Sequence, residues 1–168
     1  KTLGVIGYGR IGSAVAQRAK AFEMNVVGYD PFLPADQIKA RGAEPVSLDE
    51  LLAQSDFITM HLPLTDQTRS MLNDAAFAKM KKGVRIVNCA RGGVINETDL
   101  LAAIADGIVA GAALDVYESE PVAPDNPLLA CPQVITTPHL GASTVEAQIG
   151  VAVDVAYGII AALNGEPV

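Results

Sequence analysis

The chain has 168 residues, of which 50% are hydrophobic, 18% charged and 5% aromatic, and a formal net charge of −7. That is enough chain for one ordinary globular domain, which would bury roughly 70% of the surface its unfolded form exposes. Nucleic acid and anionic membrane surfaces both want a basic face, so the acidic balance argues against either partner. Cys89 and Cys131 fit neither a disulfide framework nor the ligand spacing of a metal site. A reduced, cytoplasmic chain is the simpler expectation. The apolar stretch from Gly150 to Leu163 reads as too short for a membrane span and carries Asp154. The sequence opens at Lys1 directly on a strand with no leader, which suggests a piece of something longer.

Hydrophobic periodicity alternates between strand and helix along the whole chain. Thr2–Gly7 reads as a buried strand, and Ile11–Glu23 as a helix with Ile11, Val15, Ala19 and Phe22 on one face. Asn25–Tyr29 is a second strand, and Pro34–Arg41 a short helix ending at Gly42. Ser47 and Glu50 form a capping box for a helix over Leu48–Gln54. Strands are predicted at Phe57–His61, Val84–Asn88, Val109–Val116 and Val134–Thr137, and helices over Asn73–Met80, from Asn96 to Gly107, and over Ser143–Leu163. Such alternation implies right-handed crossovers and a mostly parallel sheet covered on both faces. The fold class is therefore a three-layer α/β/α, doubly wound arrangement, and residues 1–168 are expected to form one domain.

In an open parallel sheet, ligands sit outside the carboxyl ends of the strands. The residues that do not belong in a core collect there: Gly7-Tyr8-Gly9-Arg10-Ile11-Gly12, Asp30, His61-Leu62-Pro63, Asn88-Cys89-Ala90-Arg91, Asp115 and Pro138-His139. The glycine motif follows a strand, opens a helix and lies eighteen residues before Asp30, the context of a dinucleotide site in a Rossmann fold. Gly7 would permit the tight turn, Gly9 let the backbone approach a pyrophosphate, and Gly12 let the helix pack on the sheet. Asp30 would accept hydrogen bonds from ribose hydroxyls. A carboxylate there repels a 2′-phosphate, and no Arg or Lys lies between Pro31 and Ile38, so NAD is expected over NADP. An ordinary turn aspartate before Pro31 is the blander reading.

Arg91, between a buried strand and Gly92-Gly93, could clamp a carboxylate through two parallel bonds, or be a surface loop residue. His139, at the mouth of the expected cleft, is a candidate acid–base group. Glu120, before Pro121, could orient it and raise its pKa. A capping histidine and a solvated loop glutamate are the alternatives. His61 reads as packing or as adenine-pocket lining.

With these motifs in view, together with Ala113-Leu114-Asp115-Val116-Tyr117, Glu120-Pro121 and Pro138-His139-Leu140-Gly141-Ala142-Ser143-Thr144, the chain resembles the D-isomer-specific 2-hydroxyacid dehydrogenases along its whole length. The phrases NCARGG and PHLGAST look most like the branch that oxidises D-3-phosphoglycerate, a step toward serine. The resemblance implies that His139 takes the proton from the C2 hydroxyl, Glu120 orients and charges it, and Arg91 binds the substrate carboxylate and carbonyl oxygen. It implies that Asp115 bonds the nicotinamide carboxamide, Arg10 and Ile11 lie over the pyrophosphate, and Leu62 and Pro63 line the adenosine pocket. Cys89, Ala90, Arg91, His139, Gly141 and Ala142 also count among the cofactor-lining residues. The family's second, substrate-reading domain has no counterpart in this sequence, and pairing into a homodimer is expected. A stand-alone NAD-binding or sensing module is the alternative of a different class. A related dehydrogenase acting on glyoxylate, formate or phosphite is a third possibility.

Overall fold

The computed structural model describes residues 1–167 and resolves them into two compact units, one spanning Lys1–Pro138 and the other beginning at His139. The first unit carries seven strands: β1 (Thr2–Ile6), β2 (Asn25–Tyr29), β3 (Glu44–Pro45), β4 (Phe57–Met60), β5 (Val84–Asn88), β6 (Val109–Leu114) and β7 (Val134–Thr136). Its helices are α1 (Arg10–Ala21), α2 (Ala35–Ala40), α3 (Leu48–Gln54), α4 (Asp74–Phe77), α5 (Glu97–Ala105) and α6 (Pro127–Ala130). The strand order is β3-β2-β1-β4-β5-β6-β7, and every pairing is parallel. The order reverses between β1 and β4, and that switch point opens a crevice at the carboxyl edge of the sheet.

The two-residue alternation of β1 sorts the core. Leu3 and Val5 point into a cluster with Tyr8, Ala16, Ala19, Val26 and Ile38, while Ile6 points into a larger cluster with Leu51, Ile58, Met60, Phe77, Ile86, Leu100 and Leu128. A side chain as fully buried as Leu100 contributes about 1.5–3 kcal/mol through removal from water. Gly4 lies on the second face, where a Cβ would meet the Ser55 hydroxyl and the Leu51 side chain, so α3 packs close against β1.

Helix boundaries follow capping chemistry. The Ser47 hydroxyl accepts from the Glu50 amide at 3.3 Å while the Glu50 carboxylate accepts from the Ser47 amide at 2.8 Å, completing the expected box. Asn96 caps α5, accepting from the Asp99 amide at 2.9 Å. Helix α4 stops at Phe77 rather than Met80, because the Lys79 and Met80 amides bond three residues back, in tighter turns than an α-helix. The edge strand β3 and the helix α6 are additions to the sequence reading. Two residues show no alternation, and α6 is a single turn started by Asn126 and Pro127 inside a proline-rich loop. The last helix of the chain, α7 (Val145–Leu163), begins two residues later than expected because Thr144 caps it, accepting from the Ala147 amide at 3.1 Å.

None of the α7 residues is buried, and Val145, Ile149, Val155, Tyr157, Ile159 and Leu163 are all exposed. Its 19 residues are long and apolar enough to cross a membrane by length and composition. This corrects the shorter span read from the sequence, which began the apolar stretch at Gly150 and so missed the first turn.

Candidate functional site

The turn after β1 is shaped by contacts that admit no side chain. A Cβ on Gly12 would stand 2.0 Å from the Gly7 carbonyl oxygen, so α1 can start here only if that position is bare. The constraint is the loop's own carbonyl more than the packing of helix on sheet. Gly9 is the opposite case: a Cβ there would meet nothing within 4 Å. The space above Gly9 is empty of protein, and no side chain caps α1, so the first-turn amides face outward beside the helix's positive dipole end.

Asp30 ties this loop to β2. One carboxylate oxygen accepts from the Tyr8 amide at 2.7 Å and the other from the Phe32 amide at 2.8 Å. The second bond is the Asx turn of the blander reading, and the first is the link to the glycine loop. Each oxygen keeps a further lone pair for an external hydroxyl.

Across the switch point, Ile11, His61, Leu62, Pro63, Cys89, Ala90 and Arg91 line a cavity of about 270 Å³. Ile11 is 68% exposed on this side, an apolar side chain left in the open at a helix start. The Leu62–Pro63 wall is braced from behind by the buried Thr68, whose hydroxyl donates to the Pro63 carbonyl at 2.6 Å. Burial lowers the pKa of His61, which therefore stays neutral at physiological pH, with Nε2 3.1 Å from the Thr59 hydroxyl. At Cys89, desolvation and then the Asp115 carboxylate push the thiol pKa up.

The end of β5 is held by Asn88, which is 2% exposed. Its amide nitrogen donates to the Arg91 carbonyl at 3.0 Å and its amide oxygen accepts from the Ala90 amide at 3.1 Å, closing a ring around the turn. The Asn88 carbonyl also accepts from the Asp115 amide at 3.0 Å. The next residue after Arg91 is clamped harder: a Cβ on Gly92 would lie 1.6 Å from the Tyr117 carbonyl oxygen. Tyr117 in turn donates its amide to the Glu120 carboxylate at 3.0 Å and its hydroxyl to the Thr137 carbonyl at 3.0 Å. The buried Asp115 carboxylate accepts from the Thr137 hydroxyl at 2.5 Å. The Arg91 side chain is exposed and donates to the Ala90 carbonyl at 2.6 Å.

In the first unit, then, Gly7, Gly9, Arg10, Ile11, Gly12, Asp30, Leu62, Pro63, Cys89, Ala90 and Arg91 gather at the carboxyl edge of β1, β2, β4 and β5. Asp115 and Glu120 follow β6. The second unit carries His139, Gly141 and Ala142. His139 has φ of +56° and Ala142 of +62°, left-handed backbone that is uncommon for side chains other than Asn, Asp and His. The Ser143 amide donates to the Leu140 carbonyl at 2.9 Å, turning the chain into α7. Asn88 and Tyr117 were read from the sequence only as members of motifs, with no role of their own, and Thr137 only as the end of a strand. A buried polar residue ending an apolar strand was the available signal for Asn88. The other two are visible only once β6 and β7 are paired.

These features fit a dinucleotide: an open glycine at the start of the twelve-residue α1, uncapped amides for phosphate, and a carboxylate with spare lone pairs for ribose. Residues 1–141 match the family model of the D-isomer specific 2-hydroxyacid dehydrogenase, NAD binding domain. The chain is 55% identical over 166 residues to D-3-phosphoglycerate dehydrogenase 3, chloroplastic, of Arabidopsis thaliana, covering 99% of this chain and 28% of that protein. Among solved structures it is similar to a glyoxylate reductase from Paecilomyes thermophila (TM-score 0.90, 42% identity, 100% of this chain and 51% of the other). It is also similar to a D-lactate dehydrogenase from Aquifex aeolicus complexed with NAD and lactic acid (TM-score 0.84, 38% identity, 98% and 54%). The chain thus spans under a third of the curated relative and about half of the two structures. It belongs to the D-isomer specific 2-hydroxyacid dehydrogenase family, as its NAD-binding domain.

Proposed function

We propose that residues 1–168 are the cofactor domain of an NAD-dependent dehydrogenase whose substrate is D-3-phosphoglycerate, acting in serine biosynthesis, with the substrate-reading domain supplied by sequence beyond this chain. The single observation that carries the cofactor reading is the pairing of an open Gly9 with an Asp30 carboxylate fastened to the same loop at 2.7 Å. The choice of phosphoglycerate rests on 55% identity to a phosphoglycerate dehydrogenase.

NAD, when bound, would supply the acceptor for the hydride that leaves C2 of the hydroxy acid. The chain's own residues bind, orient and move the proton. First-turn amides of α1, with Arg10 and Ile11, receive the pyrophosphate. Asp30 accepts from the ribose hydroxyls, and Leu62 and Pro63 flank the adenosine. Asp115, steadied by Thr137, accepts from the carboxamide. Cys89 and Ala90 complete the lining within the first unit, and the family resemblance gives Gly141 and Ala142 a cofactor-lining role. The Arg91 guanidinium leaves its neighbour's carbonyl to hold the substrate carboxylate in a fork geometry. By resemblance to the family, His139 has the role of the group that takes the hydroxyl proton, and Glu120 that of its orienting carboxylate. These catalytic roles rest on the family resemblance and on the place of each residue within its own unit. Two free thiols support a cytoplasmic setting, and the exposed apolar side chains of α7 support a homodimer more than a membrane anchor.

Calorimetry with the 168-residue chain tests the core of this reading. NAD should bind, and Asp30→Ala should weaken it by about tenfold, the worth of a charge-assisted pair of hydrogen bonds. No NAD binding, or an Asp30→Ala chain that binds as well as wild type, would count against it.

A further inference from the structure

The reading of Asp30 leaves one charged neighbour without a task. Arg41, the residue after α2, lies eleven positions beyond Asp30 in sequence. Yet its Nη1 donates to the Tyr8 carbonyl at 2.9 Å, while the Tyr8 amide donates to Asp30 at 2.7 Å. A single residue of the glycine loop therefore separates an anion from a cation. The guanidinium makes one further contact, Nη2 to the Gln37 amide oxygen at 3.5 Å. No carboxylate among the described residues lies within ion-pair distance of it. With five N–H donors and two so engaged, three remain for an external acceptor. Arg41 is exposed, so those donors are reachable.

We infer that Arg41 is a latent 2′-phosphate site, and that Asp30 alone keeps the domain selective for NAD. The inference rests on the reading of Asp30 as the ribose partner. A 2′-phosphate adds two negative charges where the Asp30 carboxylate already sits, and that repulsion prevents Arg41 from being used. With the carboxylate gone, the Arg41 guanidinium remains one loop residue away, on the carbonyl side of Tyr8, and its planar fork matches phosphate oxygens. The sequence offers no basic residue between Pro31 and Ile38. The cation is brought in instead by the turn of α2, which returns the side chain to the glycine loop.

The test uses the 168-residue chain and compares NADP with NAD by calorimetry in wild type, Asp30→Ser, Arg41→Ala and the double variant. The ratio of the two affinities cancels any general loosening of the loop. Asp30→Ser should move that ratio toward NADP by about a hundredfold, combining loss of repulsion with gain of one charge-assisted pair. Adding Arg41→Ala should reverse about tenfold of the gain while leaving NAD affinity of the double variant close to that of Asp30→Ser. Arg41→Lys in the Asp30→Ser background should restore part of it, as a point charge without the fork. If Arg41→Ala lowers both affinities alike, Arg41 only braces the loop and the inference is overturned. If wild type binds neither dinucleotide, the underlying reading of Asp30 fails as well.

Discussion

Two strand ends of the same sheet, the turn after β1 and the turn after β5, both carry several glycines and a charged residue, and they are built by different means. After β1, the loop is fixed by two clash-limited positions, Gly7 and Gly12, and one carboxylate, Asp30, and it leaves Gly9 facing open space. After β5, everything is clamped. Asn88 closes a ring on Ala90 and Arg91, and Gly92 presses on the Tyr117 carbonyl, while the Cys89 and Arg91 side chains are left exposed. The first turn is shaped to admit another molecule's backbone-sized group. The second is shaped to hold Cys89 and Arg91 in fixed places on the cavity wall. Identical residue types can therefore serve recognition in one place and rigidity in the other, and the difference lies in what a missing Cβ would have touched.

The sharpest way to break this comparison is Gly92→Ala. A methyl placed 1.6 Å from a backbone oxygen cannot be absorbed by a flexible side chain. The substitution should cost more than about 3 kcal/mol, beyond typical overpacking, and thermal melts should show a chain that no longer unfolds cooperatively. A melting curve close to wild type would mean that the β5 turn is not clamped. Asn88→Ala comes next. It leaves the Arg91 carbonyl and the Ala90 amide without partners in a part-buried setting, so denaturant titration should show a loss of about 1–3 kcal/mol. Gly9→Ala should separate stability from binding: a change in unfolding free energy within about 1 kcal/mol, with NAD affinity reduced at least tenfold because the methyl occupies the space meant for the pyrophosphate.

The smallest effect concerns His61, just after β4, whose backbone packs beneath Gly7. Burial depresses its folded pKa below the ordinary value of 6.5. Between that value and the depressed one, the unfolded chain binds a proton that the folded chain refuses, so stability falls as the pH drops below 6.5 and is flat above it. Thermal melts of wild type across pH 7 to 5 should slope downward, and those of His61→Gln should slope less. Parallel slopes would remove His61 as the source.

How much of this was legible beforehand depended on the range of the interaction. Strand and helix order, the capping box at Ser47 and Glu50, and the glycine motif are written in spacings of a few residues, and the structure places them as read. The short β3 and α6 escaped because two and four residues carry no period. The bracing of Asp115 by Thr137 and the approach of Arg41 to Tyr8 escaped for another reason. Each joins residues far apart in sequence, and only the pairing of β6 with β7 and the return of α2 bring them together. The exposed apolar surface of α7 was legible as composition but not as burial, since a period of 3.6 shows which residues share a face and not what covers them.

The parallel sheet also has a consequence for how the chain comes into being. No two neighbouring strands are joined by a hairpin, so no pairing can nucleate locally. Leu3 must wait for Val26 on one side and for Phe57 on the other. Because β1 is paired on both sides, residues 2–60 hold everything needed to assemble β3-β2-β1-β4 before β5 is made. The later strands then extend only one edge. Until β5 arrives, β4 presents an unpaired edge to the surroundings, and the β4 edge is the point at which slow synthesis or a stalled chain would expose this protein to aggregation.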